Sequence, residues 1–350
     1  MRRPPTRLPT LRSAPRGRVV VFGEVLCDLF APTSGLIAEA DHLVPRLGGA
    51  PANVAVQLAR LGVPTSLITA TGADPFGVRL RQELEREGVD VDAVACRPLR
   101  RTGVTLVEVD ADGERRFFGF RENSADLSLD VEDTECPAAR RAVRGAAILH
   151  TGTVSLRSPS SRRATRALQQ RARAGGALVS LDVNLRPGMF PSLPLLLRLA
   201  NAAVGAADIV KATREEARAL LGKAASDAGL VKSLLARGPR LVLLTFGDEG
   251  CLLATRKTSV RLYPGQATRT VDATGAGDAF VGAALAWLWR RKLQRADLDE
   301  LGGDELSALG LQAGIAGAAA VTAKGATTAM LSQAALEQRV GPALDRKERG

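Results

Sequence analysis

The stretch Asp272-Ala-Thr-Gly-Ala-Gly-Asp278-Ala-Phe280 decides how this chain is read. Gly275 and Gly277 bracket Ala276 directly ahead of Phe280, Val281, Ala284, Leu285 and Leu288, an apolar spacing that predicts a helix over 276–291. Glycines let the backbone turn so that several N–H groups point into one space, and the helix N-terminus adds positive potential there. Such a nest binds an anion. Asp278 falls in the first helical turn, where a carboxylate is electrostatically favoured and would face a phosphate held in the nest. Their repulsion is relieved if a substrate hydroxyl lies between them, giving its proton to Asp278 as it attacks phosphorus. The plainer reading is that Asp278 only caps a helix behind a tight turn. No G-x-x-x-x-G-K-[ST] occurs, and the third glycine of G-x-G-x-x-G is missing, so neither a Walker A loop nor a dinucleotide fingerprint explains the element.

Upstream of it, apolar runs alternate with helical patterns. Strands are predicted at 18–22, 66–69, 146–149, 177–182, 209–210 and 240–245. Helices are predicted at 50–61, from Asp74 to Arg86, and at about 159–173, 214–221 and 227–236, with 304–322 and 332–339 beyond the decisive helix. Apolar strands alternating with helices predict an α/β fold whose mostly parallel central sheet is covered on both faces. Residues 102–109 and 115–120 break the alternation. They are β-rich runs flanking Ala111-Asp112-Gly113, a hairpin signal that reads as a small β appendage.

Composition bounds the rest. A chain of 350 residues, 45% hydrophobic and 24% charged, suits two domains or one large α/β domain with an accessory piece. Its longest uncharged apolar run, near 310–321, falls short of the ~20 residues of a membrane helix. His42 and His150 are the only histidines, so catalysis by a histidine cluster is excluded and acid–base work falls to a carboxylate. Cys27, Cys96, Cys136 and Cys251 form no C-x-x-C pair, which fits a reducing, cytoplasmic compartment and no zinc site. The net charge of +11 invites a nucleic-acid reading, but residues 1–17 alone hold five arginines and no acid. With Pro4, Pro5, Pro9 and Pro15 they read as a disordered basic tail, or else as an organelle-targeting peptide. The second basic cluster, Arg162, Arg163, Arg166, Arg171 and Arg173, has no interleaved aromatic for base stacking, so no nucleic-acid partner is expected.

A second glycine-rich element, Gly48-Gly-Ala-Pro-Ala-Asn53, opens the helix at 50–61. Its glycines allow close backbone approach, and Asn53 both donates and accepts, which suits a polyol. A plain loop-to-helix junction is the alternative. Together the two elements resemble the paired motifs of the PfkB (ribokinase-like) carbohydrate kinases, from about residue 18 to 330. The resemblance implies a ribokinase-like three-layer α/β/α sandwich spanning 18–345, with a small β-sheet lid from about 25–47 and 102–120. It implies ATP-dependent phosphorylation of a sugar hydroxyl. By position, Asp278 resembles the catalytic base and Gly275, Ala276 and Gly277 the anion hole. Asp28, in Gly23-Glu-Val-Leu-Cys-Asp28, resembles a sugar ligand, joined by Gly49 and Asn53.

Arg116-Phe-Phe-Gly-Phe-Arg121-x-Asn-Ser-Ala-Asp126 resembles the fructokinase subgroup, where Arg121 would face the sugar or its phosphate. Asp182, Asn184 and Arg186 match the Asp-x-Asn-x-Arg strand end near the phosphates. Thr213-Arg-Glu-Glu216 stands where Asn-x-x-Glu organises Mg²⁺ and its waters, with Glu216 the carried-over residue. Thr245, Gly247 and Gly250 resemble the nucleotide strand–turn, and Gly325 lies in the adenine-side segment. Asp272 and Thr274 resemble a K⁺ site. ATP and Mg²⁺ are therefore the implied cofactors, with K⁺ a weaker one, and fructose is the expected acceptor. The rival within the same chemistry is 2-keto-3-deoxygluconate, and the rival of a different class is a non-catalytic, fructokinase-like scaffold. The unpaired edge of a lid sheet makes a homodimer an expectation.

Overall fold

Successive residues of the first strand, β1 (Val19–Phe22), enter different cores: Val19 and Val21 join one apolar cluster, Val20 and Phe22 another. Side chains alternate across a strand, so the sheet built on β1 is covered on both faces. The computed structural model describes residues 17–31, 37–109, 115–222, 226–263 and 270–347. Apart from Gly17, the basic segment 1–17 lies outside them, and so does the turn at 111–113.

Along the chain follow β2 (Leu26–Phe30), β3 (Val44–Gly48), β4 (Thr65–Gly72), β5 (Val94–Arg97), β6 (Gly103–Val109), β7 (Arg115–Phe120) and β8 (Ile148–Gly152). They are completed by β9 (Leu178–Asp182), β10 (Ile209–Thr213), β11 (Leu241–Thr245), β12 (Cys251–Ala254) and β13 (Ser259–Leu262). Nine of these make one sheet in the order β13-β12-β11-β10-β9-β8-β1-β4-β5, parallel from β11 to β5. β12 and β13 add antiparallel at one edge. The remaining four pair as β3-β2-β6-β7 in a separate small sheet, so the interruption predicted at 102–120 is a second sheet to which β2 and β3 also belong.

One helical layer, with Ala50–Arg60, Pro75–Arg86, Ala276–Arg290 and Gly303–Ala320, packs its apolar side chains with Val19, Val21, Leu241 and Leu243. The other layer meets the opposite face. There Pro159–Ala174 packs with Val20 and Phe22, while Leu193–Ala206, Arg214–Leu221 and Asp227–Leu235 pack with Val242 and Leu244. The expected three-layer α/β/α architecture is what forms. Asp74 caps its helix as its position suggested, accepting from the Gly77 N–H at 2.9 Å.

Several elements escaped the sequence reading, among them β5 and the helices Val131–Glu135 and Pro137–Val143. The helix Leu193–Ala206 was missed because its run of leucines carries Pro194, which the first turn of a helix tolerates. The β12–β13 edge was missed because each strand has only four residues. β10 also runs on to Thr213 rather than ending at 210, and that extension carries a site residue.

Candidate active site

Open parallel sheets gather ligands at the carboxyl ends of their strands. Here those ends present Gly23 and Glu24 after β1, Asp182 closing β9, Lys211 and Thr213 closing β10, and Thr245 closing β11. The helix Ala276–Arg290 points its N-terminus into this region, and its N-cap is Gly275 at φ 81°, ψ −4°. That left-handed conformation strains any residue with a β-carbon, and here the β-carbon would also stand 2.5 Å from the Ala326 carbonyl oxygen. Glycine is required at the turn, which brings the Ala276 and Gly277 N–H groups to the helix start, the Ala276 N–H donating to the Ala273 carbonyl at 3.4 Å.

Asp278 lies in the first turn and is 8% exposed. Its Oδ2 accepts from Asn53 Nδ2 at 2.8 Å, a contact between residues 225 apart in sequence. Packing of Ala50–Arg60 on Ala276–Arg290 closes that distance. Burial pushes the Asp278 carboxyl up to about 6; Asn53's hydrogen bond opposes this, Asp182 adds to it, and Lys211 and Arg186 oppose it. Asn53 is 3% exposed and its Oδ1 has no hydrogen-bond partner among the described residues, so an acceptor remains free beside the base.

Lys211 was not singled out from sequence. It is 6% exposed, and its Nζ donates to Asp182 Oδ1 at 3.1 Å and Oδ2 at 3.3 Å. Nζ also lies 2.9 Å from where a β-carbon on Gly277 would stand, so the ammonium sits against the helix N-terminus. Burial alone would lower its pKa, but Asp182, Glu216 and Asp278 outweigh that and keep it charged. A signal was present: a lysine inside the buried strand Ile-Val-Lys-Ala-Thr must be paired, because burying a lone ammonium costs several kcal/mol. His150, by contrast, is held neutral, since burial and then Lys211 push its pKa down to about 3.

The small sheet brings further predicted residues to the same space. Asp28, on β2, is 7% exposed, and burial raises its carboxyl to about 7; Arg121 opposes the rise while Asp272 and Asp278 add to it. A β-carbon on Gly48 would stand 2.2 Å from Asp28 Oδ2, so this carboxylate lies directly over the glycine pair Gly48-Gly49. Gly49 caps the helix Ala50–Arg60 at φ 101°.

Other predicted residues are held by the protein itself. Arg121 is paired through Nη2 with Asp126 Oδ2 at 2.5 Å. Glu216 accepts from the Thr213 N–H at 2.8 Å and the Leu185 N–H at 2.9 Å, and so ties the strand end at β10 to the segment after β9. Asn184 adopts φ 30°, with its carbonyl accepting from Thr153 Oγ1. Arg186 is exposed. Asp272 is fully buried and accepts from the Thr274 N–H, from Thr274 Oγ1 and from the Gly325 N–H at 2.8 Å, which fastens the two loops behind the helix start. Thr245 stands opposite Thr213 across β10 and β11, while Gly247 and Gly250, at φ 62° and 97°, form the turn beyond.

The sequence pattern of the pfkB family carbohydrate kinase matches residues 16–333. The chain is 35% identical to a fructokinase of Escherichia coli over 320 residues, 91% of this chain and 98% of that one. It is 36% identical to a fructokinase-1 of Zea mays, covering 78% and 83% of the two chains. Among solved structures, fructokinase with bound ATP from Xylella fastidiosa superposes with a TM-score of 0.84 at 29% identity, covering 94% and 99%. A Vibrio cholerae fructokinase double mutant, solved with fructose, ADP and potassium, gives 0.80 at 33% identity, covering 93% and 99%. Matched over most of its length by the family pattern and by these relatives, the chain belongs to the pfkB family of carbohydrate kinases.

Proposed function

We propose that this chain transfers the γ-phosphoryl group of ATP to the 6-hydroxyl of fructose. The reading is carried by one observation: Asp278, buried and ionisable, sits at the mouth of a glycine-led helix N-terminus beside the charged Lys211. Asp28 and Asn53 hold the sugar, with Gly49 allowing close approach. The acceptor oxygen bonds to phosphorus as the bond to the β-phosphate oxygen breaks, ADP leaves, and the hydroxyl proton passes to Asp278. Phosphoryl transfer has a loose transition state, so charge stabilisation and positioning carry most of the rate. The N–H groups at 275–277 and the Lys211 ammonium supply positive charge where it develops. Asp182 holds the lysine, Arg186 borders the phosphates, and Thr245, Gly247, Gly250 and Gly325 take the nucleotide.

Among the described residues no group of three or more His, Cys, Asp or Glu could cage a metal ion. Mg²⁺ keeps most of its waters and binds chiefly through phosphate oxygens, so a single carboxylate suffices to hold it. Glu216, whose oxygens each accept one backbone N–H, would hold it through water. Bound there, the ion would neutralise charge between the β- and γ-phosphates. Asp272 and Thr274 are the residues assigned to K⁺, supported by the complete burial of Asp272 in a loop junction.

The four-stranded sheet is the lid in this reading, closing over the sugar and excluding water. Its edge strand β7 exposes Phe117, Phe118 and Phe120, which a second copy would cover in a homodimer. No helix among the described residues is long and apolar enough to cross a membrane. Four free cysteines support a cytoplasmic setting.

A coupled ADP-release assay with fructose, ribose, 2-keto-3-deoxygluconate and inosine tests the acceptor. Fructose is expected to turn over fastest, and no turnover of fructose beside rapid turnover of another acceptor overturns the reading. The pH dependence has a definite sign. Asp278 accepts a proton only when ionised, and its raised pKa of about 6 means the base is lost as pH falls through that value. With Asp28 at about 7 in the free enzyme, kcat/KM for fructose is expected to fall on the acid side between pH 7 and 6. An acid limb lying near pH 4 would contradict both assignments.

A further inference from the structure

We propose that Asp126 and Glu24 keep Arg121 electrostatically engaged, so that the acceptor site takes an uncharged polyol and turns away a sugar acid. The inference rests on the sugar-kinase reading of the same site. Arg121 follows β7 and is the arginine that the sequence motif would aim at the substrate. An arginine free in a sugar pocket recognises carboxylates with its planar fork of donors. This one is not free. Its side chain is 13% exposed and that of Asp126 wholly buried, with 2.5 Å between Nη2 and Oδ2. The second Asp126 oxygen accepts from Ser124 Oγ at 2.6 Å, which fixes the carboxylate in place. Gly103, heading β6, makes room for the pair, since a β-carbon there would stand 2.9 Å from Asp126 Oδ1 and 3.5 Å from Arg121 Cγ.

Two more carboxyl groups act on the same guanidinium. Glu24, 6% exposed on the turn that leaves β1, has Arg121 and Asp126 among the charges around it, and Asp28 also acts on Arg121. Burial raises the Glu24 carboxyl above its ordinary range, and among the described residues only Asp126 lies within ion-pair distance of the guanidinium. The further cation acting on Glu24 is Arg186, which is exposed and donates to its own neighbour's carbonyl, Leu185 O. A sugar carboxylate entering here would lose its water and meet the buried Asp126 carboxylate with that arginine already paired, an arrangement that discriminates by repulsion.

A hydroxyl meets the opposite situation. Among the described residues Glu24 Oε2 is a buried acceptor without a partner, and Arg121 Nε is a buried donor without one. A hydroxyl donates once and accepts twice and can meet either kind of atom, whereas a carboxylate can only accept. Behind Glu24, a cavity of about 10 Å³ bordered by Asp126, Leu129, Ser155 and Arg157 has room for roughly one water and none for a carboxylate group.

The test is steady-state kinetics of the full chain and of Asp126→Asn and Glu24→Gln, each with fructose and 2-keto-3-deoxygluconate. Asp126→Asn keeps shape and removes the charge paired with Arg121, and Glu24→Gln keeps shape and fixes the neighbouring carboxyl position in a neutral form. The ratio of kcat/KM for the acid sugar to that for fructose is expected to rise at least about tenfold, mainly through the acid sugar's KM, as the freed guanidinium gains one charged hydrogen bond. A merely structural role would lower both substrates together and leave the ratio unmoved. An unchanged ratio in both variants, with the unaltered chain still preferring fructose, overturns this inference alone. An unaltered chain that prefers the acid sugar overturns the fructose reading and this inference with it.

Discussion

Asp278→Asn is expected to keep the fold and lower kcat at least about 10²-fold, the range of a general base. The substitution is nearly isosteric, and the side chain can still pair with Asn53, whose amide at 2.8 Å turns to suit its new partner. What disappears is the proton acceptor and its negative charge at the helix start. Because the carboxylate takes the proton during transfer and not in the ground-state complex, the sugar KM is expected to change far less than kcat. The acid limb of the pH profile near 6 is expected to vanish with the carboxylate. A folded variant with kcat within a few-fold of the unaltered chain would leave Asp278 as a helix cap and nothing more.

The second large effect is expected at Lys211. Lys211→Met keeps the stem and removes the ammonium that lies against Gly277. Losing one preorganised donor for transition-state charge is expected to cost about 10²- to 10³-fold in kcat. Stability is expected to fall as well, since Asp182 is left buried and unpaired, a change worth about 3–5 kcal/mol. The two losses are separable. Adding Asp182→Asn removes the stranded charge and is expected to restore much of the thermal stability while kcat stays low. Recovery of kcat together with stability would show that Lys211 only holds the strands together.

Sequence and structure agree where one local signal sufficed. The glycine-led turn at 275–277 is legible because φ 81° at Gly275 is a backbone state that the residue type announces. The Asp74 cap and the alternation of apolar strands with helices were legible for the same reason. Lys211 was not, since its meaning depends on Asp182 from the neighbouring strand and Gly277 from a helix 66 residues on. Arg121 was read from its motif as facing a ligand, yet Asp126, five residues away, engages it through folding of the intervening turn.

By itself the sequence determined the α/β layering, the glycine-led helix start and the acid in its first turn, because hydrophobic period and glycine backbone freedom act over a few residues. Tertiary structure alone decided which charges face one another. Asn53 reaches Asp278 across 225 residues, Lys211 locks to Asp182, and Arg121 pairs with the buried Asp126, since electrostatic partners are chosen by distance in space and by burial from water.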